Sequence, residues 1–446
     1  MRHRLLSSVA AVAITLAAGV ASAQSISNQA YIDQAGTNNT NEQLQDGGSG
    51  NHTSNVQNGS DNSVETTQTR GALNQARTSQ TGVWNTTTQF QSEGTANQLT
   101  ATQNSTGAGG NSVHQNQSAG TNNRAGGSQN GETNTIRQFQ SDSADGVMGF
   151  SQNGTSNLAE QRQGSGSRRN QMHGTQAGTG NASSQGQTGG VDYFMQVTQD
   201  GTANINTQYQ SSGVLNEMYG TQVGTGNESS QEQYQGFYNR AWAIQAGDEN
   251  SIRQSQIFGG TNRMVASQTG VDHNSDQRQQ TYNSYAYVEQ SGSDNTAFQS
   301  QIGYGGMTAQ IHQSGGIRNN ATQTQTGSGH TVVARQIGSL NTATQTQTNP
   351  GGGAAGNTAS LLQEGSGNTM VQYQDGTENI ASAHQNDGSS ALTLNVGRQE
   401  QEGRLNSASL TQTGTNLYST QFQDGVSNAM GAVQTGAGHR SIQTQR

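Results

Sequence analysis

The sequence predicts an all-β protein, a β-solenoid of about 18 two-stranded rungs that form two facing parallel sheets. Three observations predict it. One glutamine recurs every 11 or 12 residues from Gln34 to Gln445, residue character alternates within each repeat, and a chain with 61 Gly contains a single Pro. A fixed internal period marks a repeat architecture. Period-2 alternation is the mark of a strand, and proline is expelled from sheet interiors because it removes a ladder donor.

The first element is a separate one. Arg2 and Arg4 precede an apolar run over residues 5–20, and Ala21-Ser22-Ala23 supplies a small-x-small cleavage site. This is the layout of a secretory signal peptide over residues 1–23. Residues 24–446 then form a single repeat domain, with Gln24 as the mature N-terminus. The apolar run is too short and too rich in small residues to favour a membrane span, and no later segment could cross a bilayer.

Composition narrows the class of protein. Of the 446 residues, 28% are hydrophobic and 11% charged, well below the apolar share an ordinary globular core needs. The basic residues are all Arg; removing Arg2 and Arg4 from the 19 leaves 17 against 28 acidic ones, about −11. An acidic balance disfavours nucleic acid as a partner. There is no Cys, so an exported chain must be held together without disulfides.

The repeat itself reads Q-x-G-x-x-N-x5-Q, as in Gln34, Gly36, Asn39 and Gln45, and 36 such anchors run to Gln445. Four longer spacings, Gln103–Gln117, Gln163–Gln176, Gln347–Gln363 and Gln385–Gln401, place their extra residues in turns, and Pro350 sits in one of them. A seven-residue strand ends at each anchor, with residues −6, −4, −2 and 0 on one face. In even-numbered strands position −2 is Gln in 17 of 18 cases, Thr66 being the exception. In odd strands it is never Gln, and position −4 is apolar instead, as at Ala76, Leu99, Met218, Ala241 and Met430, Thr53 being the exception. The unit is therefore a strand pair of 22–23 residues. At the usual strand separation, 18 such rungs predict a rod roughly 85 Å long.

The Q-x-G-x-x-N stretch is read as the turn, with Gly36, Gly59, Gly82, Gly131, Gly154, Gly247, Gly414 and Gly425 taking positive φ and Asn tolerating it. Inside, one apolar row is expected beside rows of amides. Stacked identical amides can bond up and down a column. The predicted ladder comprises Gln34, Gln43, Gln45, Gln80, Gln89, Gln91, Gln245, Gln345, Gln347, Gln412, Gln421 and Gln423, with Asn39, Asn74 and Asn85. Replacing a mid-column glutamine by Leu is expected to cost roughly 1–3 kcal/mol.

The repeat resembles the curlin repeat, S-x5-Q-x-G-x2-N-x-A-x3-Q, of curli subunits, the bacterial extracellular amyloid fibres. The best matches are Asn74-Gln75-Ala76 to Gln80, Asn239-Arg240-Ala241 to Gln245, Asn341-Thr342-Ala343 to Gln347, and Asn406-Ser407-Ala408 to Gln412. The resemblance covers nearly all of residues 28–445. It implies a two-sheet solenoid, a location outside a Gram-negative cell or on its surface, and self-assembly into adhesive biofilm fibres. The partners it implies are further copies of the chain, other curli subunits and an outer-membrane export pore. The chain departs from curlins in its number of rungs, in lacking a non-repeat segment after residue 23, and in having Asn where the repeat begins with Ser.

No cap is legible at either end. The end rungs match in kind, Asn28, Ala30, Ile32 and Gln34 against Asn428, Met430, Ala432 and Gln434. Uncapped edges template further strands, so a head-to-tail polymer is expected through Asn28, Ile32, Gln34, Gln434, Gln443 and Gln445. The alternative is a non-polymerising secreted adhesin, or a solenoid that binds a carbohydrate or ice surface. Phe90, Phe139, Tyr209, Tyr373 and Phe422, one residue before even anchors, are the outward aromatics that alternative would use. The Thr clusters 322, 324, 326 and 344, 346, 348 raise ice binding, but the slot changes identity too often along the rungs to give the flat, regular array it needs. Catalysis is not predicted, and neither is a metal or any cofactor. His52, His114, His173, His273, His312, His330, His384 and His439 fall at differing repeat positions and are read as exposed surface residues.

Overall fold

The computed structural model describes residues 27–350, 352, 354–387 and 394–446. The proposed signal peptide, Gln24, and Gly351 and Gly353 of the glycine run lie outside these residues.

The protein is an all-β solenoid of about 18 turns. Among the described residues 36 strands alternate between two parallel sheets, odd-numbered strands in one and even-numbered strands in the other. Contacts divide the chain into two compact units, one running to Ala159 and including Gln163–Ser165, the other comprising Glu160–Arg162 and Gly166–Arg446. The boundary falls within β12 (Leu158–Gln163).

The first unit shows the winding. β1 (Gln29–Thr37) pairs in parallel with β3 (His52–Ser60), Gln34 opposite Gln57 and Gly36 opposite Gly59. β2 (Thr40–Asp46) pairs with β4 (Ser63–Thr69), Gln45 opposite Gln68. Every anchor thus meets the anchor one repeat later. The second unit keeps the same register, from β13 (Gln171–Thr179), where Gln176 pairs with Gln199, to β36 (Arg440–Gln445), where Gln445 pairs with Gln423.

The turns differ from the sequence reading. Most odd strands continue three residues beyond the anchor, through the glycine, and the chain reverses at the next two residues, Asn38 and Asn39 after β1; the strands that end at Asn104 and Asn386 stop one residue past theirs. Gly36 and its counterparts Gly59, Gly82, Gly131, Gly154, Gly247, Gly414 and Gly425 have positive φ, but as strand residues. The second reason for glycine is stacking, since a Cβ on Gly59 would lie 1.9 Å from the Gly82 carbonyl oxygen. The other positive φ falls on the residue before the asparagine, at Asn38, Asp61 and Trp84. There the asparagine side chain, bonded into the next rung, holds the bend whatever residue precedes it.

Two turns recur after the even anchors. At spacings of 12 from an even anchor to an odd one, the strand runs four residues past the anchor after Gln117, Gln140 and Gln301; at most, as after Gln45, Gln68 and Gln187, it stops one residue past the anchor. Two left-handed residues such as Arg70 and Leu73 then flank a single bridged residue. These bridges form a short third ladder, Ser49 to Ala72 to Thr95 to Thr121 in the first unit and Arg168 to Val191 to Val214 to Phe237 to Gly260 in the second. Where the spacing is 11, as after Gln325, Gln374, Gln401 and Gln423, the even strand runs through its glycine as most odd ones do, the strand that stops at Gln280 being the exception.

The apolar core is wider than one row. Odd position −4 is buried, as at Ala76, Leu99, Met195 and Met218. Odd position −2 and even position −4 are buried as well. In the second unit they form one cluster in which Val288, Ile311, Leu361 and Leu410 of the odd sheet meet Ile252, Ala297, Ala321 and Met370 of the even sheet. The sequence hides these rows because their residues change size and polarity from rung to rung. The changes compensate across the core: Gly127 leaves the space that Ile136 and Val113 approach, and a Cβ on Gly397 would lie 2.7 Å from Leu410 Cδ2. Close packing makes the summed volume of facing residues the constraint, rather than the identity of either one.

Candidate functional site: the amide columns and outer rows

Period-2 alternation turns every anchor inward, and in-register stacking places each one against its own kind. In the odd column Gln34 Nε2 donates to Gln57 Oε1 at 2.5 Å, Gln57 to Gln80 at 3.0 Å, and Gln80 to Gln103 at 2.8 Å. In the second unit Gln222, Gln245 and Gln268 continue the pattern at 2.9 and 3.1 Å, and Gln412 donates to Gln434 at 2.8 Å. The even anchors form a second column, Gln45 to Gln68 to Gln91 to Gln117, at 2.7–2.9 Å. Within the second unit that column also links Gln347 to Gln374 and Gln423 to Gln445. Even position −2 forms a third, Gln89 to Gln115 to Gln138, with Gln345 to Gln372 and Gln421 to Gln443 in the second unit.

In each of these bonds the lower-numbered glutamine donates, so the columns are polar. The amides also bind backbone. Gln245 Nε2 lies 2.8 Å from Glu228 O and 2.7 Å from Asn250 O, and Gln91 Nε2 lies 3.2 Å from Gln75 O. A buried amide is costly only when unpaired, and here the next rung and the facing sheet pair it.

Gln43 stands apart from the column. The strand beside it carries Thr66, too short to reach an amide. Gln43 instead donates to Tyr31 O and accepts from the Thr53 hydroxyl, both at 3.0 Å. Gln34, Asn39, Gln43 and Gln45 are half-buried, not buried, because the first rung is covered from one side. The asparagines before even anchors form a side-chain ladder of their own, Asn62 Nδ2 donating to Asn39 Oδ1 at 3.2 Å, Asn85 to Asn62 at 3.0 Å and Asn134 to Asn111 at 3.1 Å, whereas those before odd anchors, Asn74 among them, link rungs through the backbone. Asn51 Oδ1 accepts the Asn74 backbone N–H at 3.0 Å while Asn74 Nδ2 donates to Gly94 O at 3.1 Å. Asn85 N bonds Asn62 Oδ1 at 3.0 Å, and Asn39 Nδ2 reaches Gly59 O at the same distance. Each asparagine ties a bend to the next rung, as a cap would.

At the first rung Asn28 and Ile32 are half-buried. At the last rung Gln434 is buried and donates to Tyr418 O at 2.9 Å. Gln443 is half-buried and donates to Gly431 O at 3.0 Å, and Gln445 is exposed.

Two histidines overturn the reading of these residues as uniformly exposed. His273 and His330 are buried, at 1% and 0% exposure. They occupy the asparagine slot, six residues before an anchor, and the register alone could have located them. Nδ1 of each accepts the backbone N–H of the next rung, from Asn295 at 3.3 Å and Asn357 at 3.0 Å. Their Nε2 atoms face Thr269 O and Thr326 O. This is the neutral Nε2–H tautomer, and burial pushes both pKa values below the ordinary histidine value.

Outside, the even-strand aromatics are dispersed, Tyr209 exposed and Phe90, Phe139, Tyr373 and Phe422 half-buried. A second aromatic row, missed from sequence, crosses the outer face of the odd sheet. Phe194 and Tyr219 centroids are 5.4 Å apart, Tyr219 and Trp242 stack at 5.5 Å with 5° between planes, and the Arg263 guanidinium lies 4.9 Å over Trp242. No described helix is long and apolar enough to cross a membrane. The chain matches no family model and no curated protein.

Proposed function

We propose that the chain is a secreted structural protein that assembles into extracellular curli-like amyloid fibres serving biofilm matrix and cell adhesion. One observation carries the reading. Outside the break at Gln43 and Thr66, each rung presents upward the amide donors that any other rung accepts from below, at the same three column positions. A surface complementary to its own opposite face makes a heterologous contact that need not close. The curlin-type motifs support the same reading.

The test is assembly of residues 24–446 on release from denaturant. Unbranched fibres that seed further growth, with a reflection near about 4.7–4.8 Å along the axis, are the expected result. A monodisperse monomer across a wide concentration range would overturn it. The second reading, a non-polymerising adhesin, is favoured by one specific observation, the crowding of aromatic residues into a single stretch of the chain.

A further inference from the structure

Aromatic side chains are not spread evenly. Of 22 Phe, Tyr and Trp residues, 14 fall within residues 193–304. One group is the stacked row on the odd sheet. Parallel rings standing on successive rungs cover one another's faces and turn their edges outward. The other group lies on the edge where even strands turn into odd ones. Phe237 and Tyr238 follow β18 (Glu228–Tyr234), Phe258 follows β20 (Ser251–Ile257), and Tyr282 follows β22 (Asn274–Gln280). Tyr304 ends the series in β24 (Thr296–Gly305).

These side chains are exposed, Phe237 by 46%, Tyr282 by 48%, Tyr238 by 55% and Tyr304 by 69%. They do not stack in parallel: Phe237 and Tyr238 meet at 87°, Tyr234 and Phe258 at 80°, Phe237 and Tyr282 at 48°. Ring faces therefore remain open to solvent. Phe237 is held along the edge because Gly260 on the next rung has no side chain; a Cβ there would lie 2.5 Å from the ring.

Charge vanishes where these rings appear. The turns at 211–215, 234–238, 257–261, 280–283 and 302–306 contain no Asp, Glu, Arg or His, only Ser, Thr, Gln, Asn, Gly and apolar residues. The opposite turns of the same rungs carry Asp248, Glu249, Asp272 and Asp294. On the edge in question, earlier turns carry Arg70, Glu93 and Arg169, and later ones Glu378 and Arg404.

We propose that this turn edge, from Phe237 to Tyr304, binds a neutral polysaccharide chain. A pyranose presents a C–H face that stacks on an open aromatic face and a rim of hydroxyls that bond to uncharged amides. Gln235, Gln280 and Asn283 stand beside the rings to meet them. Recurrence of rings at each rung along one edge suits a linear polymer, and the absence of charge removes the basis for holding an anionic glycan or a basic protein. The site rests on this edge alone and stands whether or not the chain polymerises.

The test uses the full chain with microcrystalline cellulose and chitin as neutral glycans and polygalacturonate as the anionic control. Tyr238→Asn combined with Phe258→Asn removes two rings while keeping a residue that tolerates left-handed φ; Tyr282→Ser is a separate variant. Trp242→Thr removes a ring of the stacked row. The expected result is salt-insensitive binding to cellulose or chitin, weakened about tenfold or more by the turn variants and unchanged by Trp242→Thr. The proposal is overturned by absence of binding to both neutral glycans, by a preference for polygalacturonate, or by equal binding of the turn variants. It is also overturned if those variants abolish only lateral association between copies, read by light scattering.

Discussion

The anchor glutamines and the asparagines six residues before them both face inward and both link one rung to the next, yet only one set is unbroken. All 36 anchors are Gln, whereas the asparagine slot holds Gly146, Tyr193, His273, Ser284, Met307, His330, Leu417 and His439 among its 36 positions. The difference follows from what each side chain must do. An anchor amide accepts from below and donates to both the amide above and the backbone of the facing sheet, as Gln245 does. No other side chain of that reach carries two donors and an acceptor. The asparagine mainly presents an acceptor to the next N–H. Histidine Nδ1 serves at His273 and His330, and the Tyr193 hydroxyl reaches the Gly213 N–H. That phenol is pushed up to about 12, first by burial, so it stays neutral.

The comparison breaks most sharply at an anchor. Gln245→Leu strands the Gln268 carbonyl oxygen, removes one acceptor of the Gln222 amide, and takes a donor from the Glu228 and Asn250 carbonyls. It should lower stability by about 2–3 kcal/mol, read from denaturant midpoints and from hydrogen-exchange protection of β19 (Arg240–Asp248). A loss below about 1 kcal/mol would mean the columns tolerate gaps. Asn227→Ala removes an acceptor for Asn250 N, at 3.1 Å, and a donor to Gly247 O, at 2.7 Å. It should cost about 1–2 kcal/mol, less than the anchor change.

Acid sharpens the comparison without touching an anchor. The folded pKa values of His273 and His330 are depressed, chiefly by burial, with Asp272 and Asp294 partly opposing the shift at His273. Their contribution is fully present above the ordinary value near about 6.5. It falls away as pH drops through the lower folded value, where a proton on Nδ1 would replace the acceptor with a donor. His330→Asn should restore the usual slot residue and flatten the stability profile below pH 6 to 7, with little change at pH 8, in thermal melts across that range. A parallel loss in both proteins would assign the acid sensitivity elsewhere.

The smallest expected effect is a gain. Asn206 sits buried at even position −4, between Ser183 and Ser229 on the adjacent rungs, and neither its Oδ1 nor its Nδ2 has a partner among the described residues. Asn206→Val should raise stability by about 1 kcal/mol. No gain would show that the site satisfies the amide in another way.

Strand periodicity, rung length, the parallel stacking and the glutamine columns were legible from residue spacing, because each depends on a residue meeting its own copy one repeat away. Gln43 was not, because its fate is set by Thr66 on a different strand. Nor was the burial of His330, since a histidine alone looks like surface until its slot is aligned.

What the sequence determined by itself is the alternation, the period and the identity of every column that stacks like on like. The tertiary structure decided what depends on unlike neighbours. It set the pairing of Gly127 with Ile136 and of Gly397 with Leu410 across the core, the two turn geometries, and the gathering of Phe237, Phe258 and Tyr282 along one edge. A column repeats one contact down a single register, so one dimension of spacing specifies it. A core layer or a turn edge joins residues from different slots, whose sizes need only sum correctly, and that sum exists only once the chain has wound.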